Sequence, residues 1–256
     1  MSFFDWVFRL LKEYWSLFLQ GAGYTVIMAI VGTVVGFIIG LLIAIVRTVP
    51  IRAGDHPLKR GLMHTVNAIL TAYVEIIRGT PMLVQALIFH YSLFSKIGVP
   101  PLLSAIIIIS VNTGAYMAEI VRGGIISIDK GQFEGAEAIG MTHFQTMFYV
   151  VLPQAVRNIM PSIGNEFVVN IKDSSVLSVI SITELMFMAK SAGGTYVQFV
   201  PAYVICAVIY FILTFTVTRI LRYVEKKMDG DDSYVICGSQ SDYKSMIKVN
   251  GKEKDR

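Results

Sequence analysis

Long stretches without charged residues divide the sequence. No charged residue occurs between Tyr14 and Val46, and another charge-free stretch separates Lys96 from Glu119. A helix needs about 20 apolar residues to cross the hydrocarbon layer of a bilayer. These stretches therefore predict membrane-spanning helices.

Five such helices are predicted along the chain. They lie at about 17–46, 61–95, 99–121, 159–185 and 199–221. The second segment is too long for one straight crossing, so we predict a break near 79–81, where Gly79 and Pro81 interrupt the helix. In the first segment, small residues recur at every fourth position and predict close packing against another helix; they are Gly32, Gly36, Gly40 and Ala44.

The segments outside the spans carry most of the charge. Residues 1–16 alternate apolar and charged side chains at helical spacing, which predicts an amphipathic helix in the membrane interface. Residues 123–158 are mixed and predict a loop with short helices. Residues 226–256 are polar and predict a flexible tail.

The positions of basic residues indicate the orientation of the chain in the membrane. They cluster in residues 47–60 and again at the end of the fifth span and just beyond it, at Arg219, Arg222, Lys226 and Lys227. Basic loops remain in the cytoplasm. We therefore expect an all-α integral membrane protein with its C-terminus inside, its N-terminus outside, and short outer turns at 95–101 and 190–200.

Composition supports this class and excludes others. Hydrophobic residues make up 54% of the 256 residues and charged residues 16%, with a net charge of +4. The basic residues flank apolar stretches, so we do not expect nucleic-acid binding. Two cysteines and four scattered histidines provide no metal-ligand spacing. No phosphate loop, zinc-protease or hydrolase motif occurs, so we expect no enzymatic activity and no bound cofactor.

Polar residues inside the predicted spans are candidates for a solute path. Ionisable groups are costly in lipid and usually face a bundle interior or an aqueous route. The candidates recur at helical spacing on the second, third and fourth spans: Glu75, Arg78, Asn112, Tyr116, Glu119, Ser162, Glu166, Asn170, Lys172 and Asp173. Alternatively, these groups pair with one another and only fix helix orientation. Their carboxylates are also compatible with an ion-coupled carrier.

The loop at 123–158 contains a spaced motif. Glu134-Gly135-Ala136 is followed by Gly140 and then by Val150-Val151-Leu152-Pro153. A short helix, a glycine turn and a second helix ending at a proline would form a knob that projects into a groove of a partner. This spacing resembles the E-A-A, G, I-x-L-P signature of ABC importer permeases, with Gly135 in place of Ala and Val150 in place of Ile.

Other stretches resemble one branch of that family, the polar amino-acid permeases of histidine, glutamine and arginine uptake. These permeases are inner-membrane components of binding-protein-dependent transport. The similar stretches are 75–85, 115–125, 152–155 and 172–177, and the resemblance extends over about 21–225.

The resemblance implies a permease subunit in a prokaryotic cytoplasmic membrane. Such a subunit pairs with itself or with a sister permease, and an extracellular binding protein delivers the amino acid to it. ATP-binding ABC subunits dock on the loop, and ATP and magnesium belong to those partners. The coupling role carries over to Glu134, Gly135, Ala136, Gly140, Leu152 and Pro153. The sequence leaves open which amino acid is carried and whether the permease pair is identical.

Overall fold

All regular elements in the described part of the chain are helical. The computed structural model describes residues 2–51, 54 and 56–229. Its α-helices are α1 (Phe3–Thr48), α2 (Pro57–Gly79), α3 (Met82–Phe89), α4 (Pro101–Ile126), α5 (Lys130–Ala138), α6 (His143–Gln145), α7 (Leu152–Asp173), α8 (Leu185–Tyr196) and α9 (Phe199–Asp229). The all-α class predicted from the sequence is confirmed. Most of the predicted tail lies outside the described residues.

Three wider or tighter helical turns extend these helices. A π-helical turn at His90–Phe94 continues α3, and another at Thr146–Val151 joins α6 to α7. A 3₁₀ turn at Ser174–Ile180 follows α7.

Length and composition allow three to five membrane crossings. Phe3–Thr48, Pro101–Ile126 and Phe199–Lys227 are each long and apolar enough to cross alone. Two bent pairs qualify together: Pro57–Gly79 with Met82–Phe94, bent by 110°, and His143–Ile180 with Leu185–Tyr196, bent by 53°. Five crossings result if each bent pair counts once. The orientation of the chain in the membrane, with the N-terminus outside and the C-terminus inside, stays a prediction.

The first helix, α1, consists of two helical stretches that meet at a kink at Tyr14, where φ is −118° and ψ is 16°. This kink lies close to the predicted boundary between residues 1–16 and the first span, and the interfacial position of residues 1–16 stays a prediction.

Another segment differs from the sequence expectation. The predicted outer turn at 190–200 is largely helical, because α8 continues to Tyr196. The buried Glu184 carboxylate caps α8 by accepting hydrogen bonds from the backbone N–H groups of Met186 and Phe187, and such capping favours helix initiation.

The centre of the bundle is the contact between α1 and α4. A methyl group added at Gly32, Gly36 or Gly40 would lie within 3.0 Å of α4 atoms. The atoms it would meet belong to Ile109, Thr113 and Met117 respectively. The glycine stripe therefore lets the two helix backbones approach closely.

Candidate functional site

A polar cavity of about 520 Å³ opens at the break between α2 and α3. This cavity, the charged cleft, is bounded by three parts of the bundle: the break itself, α4 and α7. Its lining residues are Arg78, Gly79, Thr80, Pro81, Met82, Asn112, Tyr116, Glu166, Val169, Asn170 and Asp173. Binding sites for small molecules commonly have volumes of about 300–1,000 Å³.

Local sequence explains why the helix breaks at this place. A residue before proline is sterically pushed out of the helical region, and Thr80, which precedes Pro81, is extended at φ −123° and ψ 145°. Gly79 ends α2 and Met82 begins α3. The resulting turn leaves Arg78, at the end of α2, on the wall of the cleft.

The cleft brings together one cation and two carboxylates. The guanidinium carbon of Arg78 lies 5.4 Å from the ring centre of Tyr116, within reach of a cation–π interaction. Glu166 and Asp173 are both partly buried and lie two turns apart on one face of α7. The site can therefore offer a positive group and negative groups to the same solute.

Buried hydrogen bonds fix the two amides of the cleft. Asn112 Nδ2 donates to Gln85 Oε1 at 2.9 Å. Asn170 Oδ1 accepts from Thr113 Oγ1 at 3.0 Å, and Asn170 Nδ2 donates to Thr33 Oγ1 at 2.9 Å. Gln85, Thr33 and Thr113 are not among the residues that the sequence predicts for the site. Gln85 could have been found from the sequence, because it is the one polar residue in the otherwise apolar stretch 82–89.

The structure brings together six of the ten candidates for the solute path. They are Arg78, Asn112, Tyr116, Glu166, Asn170 and Asp173. Glu75, Ser162 and Lys172 are exposed and do not line the cleft.

Glu119 also lies outside the cleft, in a cluster of ion pairs. Its Oε1 lies 2.6 Å from Arg47 Nη1, and its Oε2 lies 3.1 Å from Arg122 Nη2. This cluster joins the C-terminal end of α1 to α4. Glu119 is one helical turn beyond Tyr116, so the shared spacing predicted from the sequence does not bring it to the same cavity.

The loop motif forms a compact unit, the knob (residues 129–153). Its first helix, α5, is capped by Asp129, which accepts a hydrogen bond from the Gly131 N–H at 2.7 Å. Gly140 follows α5 with φ +83°, a conformation that costs other residues about 1–2 kcal/mol. The motif therefore has a glycine where the turn requires one.

Motif residues face two directions in the knob. Ala136 and Leu152 are buried, whereas Glu134, Gly135 and Pro153 are exposed. Leu152 belongs to a core cluster with Ala44, Val121, Ile125, Ile128, Met147, Val151, Ala155 and Ile159. This cluster connects the knob to α1, α4 and α7.

The second helix of the knob does not end at Pro153, so that expectation was wrong. The π-helical turn Thr146–Val151 leads directly into α7, whose second residue is Pro153. Proline is tolerated in a first helical turn because its missing N–H is not needed there.

Large apolar side chains cover the outside of the knob. Ile139, Phe144 and Tyr149 are 79%, 66% and 75% exposed. The ring of Phe144 contacts that of Phe148, with 4.4 Å between their centroids, and both rings remain exposed. In the same described part of the chain, no group of three or more His, Cys, Asp and Glu residues is placed to hold a metal ion.

Residues 53–230 match the family described as binding-protein-dependent transport system inner membrane component. The chain belongs to this family. It is 37% identical over 221 residues to the L-cystine transport system permease protein TcyB of Bacillus subtilis, which covers 85% of this chain and 89% of that protein. It is 35% identical over 165 residues to the glutamine permease GlnP of Escherichia coli, covering 63% and 75% of the two chains.

Solved structures resemble this transport permease closely. A crystal structure of an amino acid ABC transporter with histidines has a TM-score of 0.75 and 32% identity, covering 89% of this chain and 99% of that one. An inward-facing structure of the MetNI methionine ABC transporter has a TM-score of 0.64 at 23% identity, covering 82% and 97%, and supports the fold alone. The resemblance to ABC importer permeases is confirmed, and these comparisons give no support to an ion-coupled carrier.

Proposed function

We propose that this chain is the permease subunit of an ABC importer for a polar amino acid, and that the charged cleft is where the amino acid crosses. Family membership and the names of the relatives, which transport cystine and glutamine, support the class of solute. An extracellular binding protein delivers the amino acid.

The observation that carries this proposal is the convergence of opposite charges in one cavity. An amino acid has a carboxylate and an ammonium group. Arg78 is suited to the carboxylate, because its guanidinium forms two parallel hydrogen bonds with such a group. Glu166 and Asp173 are suited to the ammonium group, while Asn112 and Asn170 provide neutral hydrogen-bonding groups.

Their position on a cavity wall also explains why these charges are tolerated. Ionised groups inside a membrane are stable only when they face water, a partner charge or a bundle interior. Glu166 and Asp173 are partly buried and line a cavity. A charged solute can replace part of their water when it enters.

Energy is supplied through the knob. Separate ATP-binding subunits, which hold ATP and magnesium, dock on its exposed apolar side chains. The buried half of the knob is packed against α1, α4 and α7, so movement of the docked subunits is transmitted to helices that bound the cleft. A second permease subunit completes the transporter.

The test compares two carboxylates at different distances from the cleft. Glu166→Gln is predicted to lower uptake at least about tenfold, because it removes a charge that pairs with the ammonium group. Glu75→Gln is the matched control, since Glu75 is exposed and outside the cleft. Uptake of radiolabelled L-glutamine, L-arginine and L-cystine is measured in host cells that carry each variant as the only copy.

Two results would contradict the proposal. If Glu166→Gln and Glu75→Gln lowered uptake equally, the cleft would have no special role in transport. Uptake that resists vanadate but collapses with an ionophore would indicate an ion-coupled carrier.

Mild solubilisation of the tagged chain is expected to recover an ATPase with a phosphate loop.

A further inference from the structure

Gln85 occupies a special place behind the charged cleft. The residue is buried, with only 6% of its surface exposed. Its Nε2 group donates to Ile77 O at 2.8 Å, to Thr80 O at 3.0 Å and to Thr80 Oγ1 at 2.8 Å. Its Oε1 accepts from Asn112 Nδ2 at 2.9 Å. One amide therefore contacts both the helix break and the opposite wall of the cleft.

Two of the three acceptors of this amide, the Ile77 and Thr80 carbonyls, are groups that the break leaves without helical partners. In a continuous helix, the Ile77 carbonyl would accept from the N–H four residues later. That residue is Pro81, which has no N–H. The Thr80 carbonyl lies in the extended link between α2 and α3. Gln85 supplies the donor that proline removes.

The two carbonyls differ in what could replace this donor: the hydrogen bond to Ile77 O is buried, whereas Thr80 is exposed and lines the cleft. On its other side Gln85 borders a cavity of about 150 Å³, whose remaining lining is Phe89, Leu93, Phe94, Ile107, Ile108 and Val111. Each of these described side chains is apolar. Without the Gln85 donor, the buried Ile77 carbonyl would be left unpaired, which carries a large desolvation cost.

We infer that Gln85 is a positioning residue for transport, an inference that rests on the proposed function of the charged cleft. By pairing the carbonyls at the break and holding Asn112, it sets the direction in which α2 ends. The end of α2 carries Arg78. Gln85 itself is absent from the lining of the cleft and acts on the solute through Arg78, Thr80 and Asn112.

Two substitutions separate the donor from the acceptor. Gln85→Met keeps the length of the side chain and removes both functions. Gln85→Glu keeps an acceptor for Asn112 but has at most one acidic proton, so it cannot donate to both Ile77 and Thr80. Each variant is expected to raise the apparent KM of uptake about tenfold, with the amount of chain in the membrane preserved.

Thr25→Val is the matched control. Thr25 is fully buried and its Oγ1 accepts from the Leu185 N–H at 3.3 Å, in a part of the bundle away from the cleft. This variant also loses one buried hydrogen bond. We expect its KM to stay within about twofold of the wild type. A KM change equal to that of Gln85→Met would show a general packing effect and overturn the inference.

A second measurement does not depend on knowing the solute. Hydrogen–deuterium exchange is followed in the solubilised full chain together with its copurifying subunits. Exchange in peptides covering 76–88 is expected to accelerate about tenfold in Gln85→Met and to remain unchanged in Thr25→Val. Unchanged exchange in Gln85→Met would overturn the inference, as would faster exchange with an unaltered KM.

Failure of the proposed function gives a different result. If wild-type cells import none of radiolabelled L-glutamine, L-arginine and L-cystine, the proposed solute class fails. The exchange measurement then decides by itself whether Gln85 holds the break.

Discussion

The α1–α4 contact and the knob both depend on glycine, but in opposite ways. Gly32, Gly36 and Gly40 lie so close to α4 that an added methyl group would overlap with it. Gly135 and Gly140 in the knob have nothing within 4 Å of such a group. The first set of glycines allows close approach, whereas Gly140 allows a turn.

The two regions also differ in whether their packing is complete within this chain. The α1–α4 contact is completed by residues of this chain. The knob exposes Phe144 and Tyr149 and is suited to contact with a partner. Substitutions should therefore damage folding in the first region and coupling in the second.

The largest effect is expected for Gly40→Leu. The new side chain would meet Met117 and the backbone of Ala118, and overpacking of this kind costs about 3 kcal/mol. Gly23→Leu on the same helix is the control, because nothing lies within 4 Å of Gly23. Thermal unfolding in detergent should show a large loss only for Gly40→Leu. Similar losses in both variants would mean that the close contact is not decisive.

A smaller effect on stability but a clear effect on transport is expected for Gly140→Val. Strain at positive φ costs about 1–2 kcal/mol and distorts the turn of the knob. Uptake should fall at least about tenfold while the chain still inserts. The control is Gly135→Ala, at an open helical position, where transport should be retained. Retained uptake in Gly140→Val would count against the coupling role of the knob.

The smallest effect is expected for Glu119→Gln, at the end of the α1–α4 contact. Glu119 and Arg47 have side chains 22% and 15% exposed, so their ion pair is partly shielded from water, and the substitution also weakens the pair with Arg122; the total loss should be about 1 kcal/mol. Glu13→Gln breaks the Arg9 pair, whose side chains are 39% and 37% exposed, and should cost less. Melting temperatures of the two variants test this order, and the reverse order would contradict it.

Periodic features were predictable from the sequence because they repeat within one helix. The every-fourth spacing of Gly32, Gly36 and Gly40 predicted packing, and the structure places α4 against that stripe. The same holds for the all-α class. The knob motif was visible because its residues follow a fixed spacing.

Features that depend on contacts between helices were not predictable. Helical spacing placed Glu119 with Asn112 and Tyr116, but α1 brings Arg47 to it instead. Gln85 gains its partners only after the chain turns by 110° at Pro81. A single-helix projection contains neither effect.

The turn between α2 and α3 also gives the cleft a polarity of its own. Aligned peptide dipoles leave about half a negative charge at the C-terminal end of a helix and about half a positive charge at the N-terminal end. Here the end of α2 and the start of α3 meet at one wall of the cavity. Part of the electric field in the cleft, the proposed transport path, thus belongs to the backbone. It persists when side chains are replaced, provided that the break itself is kept.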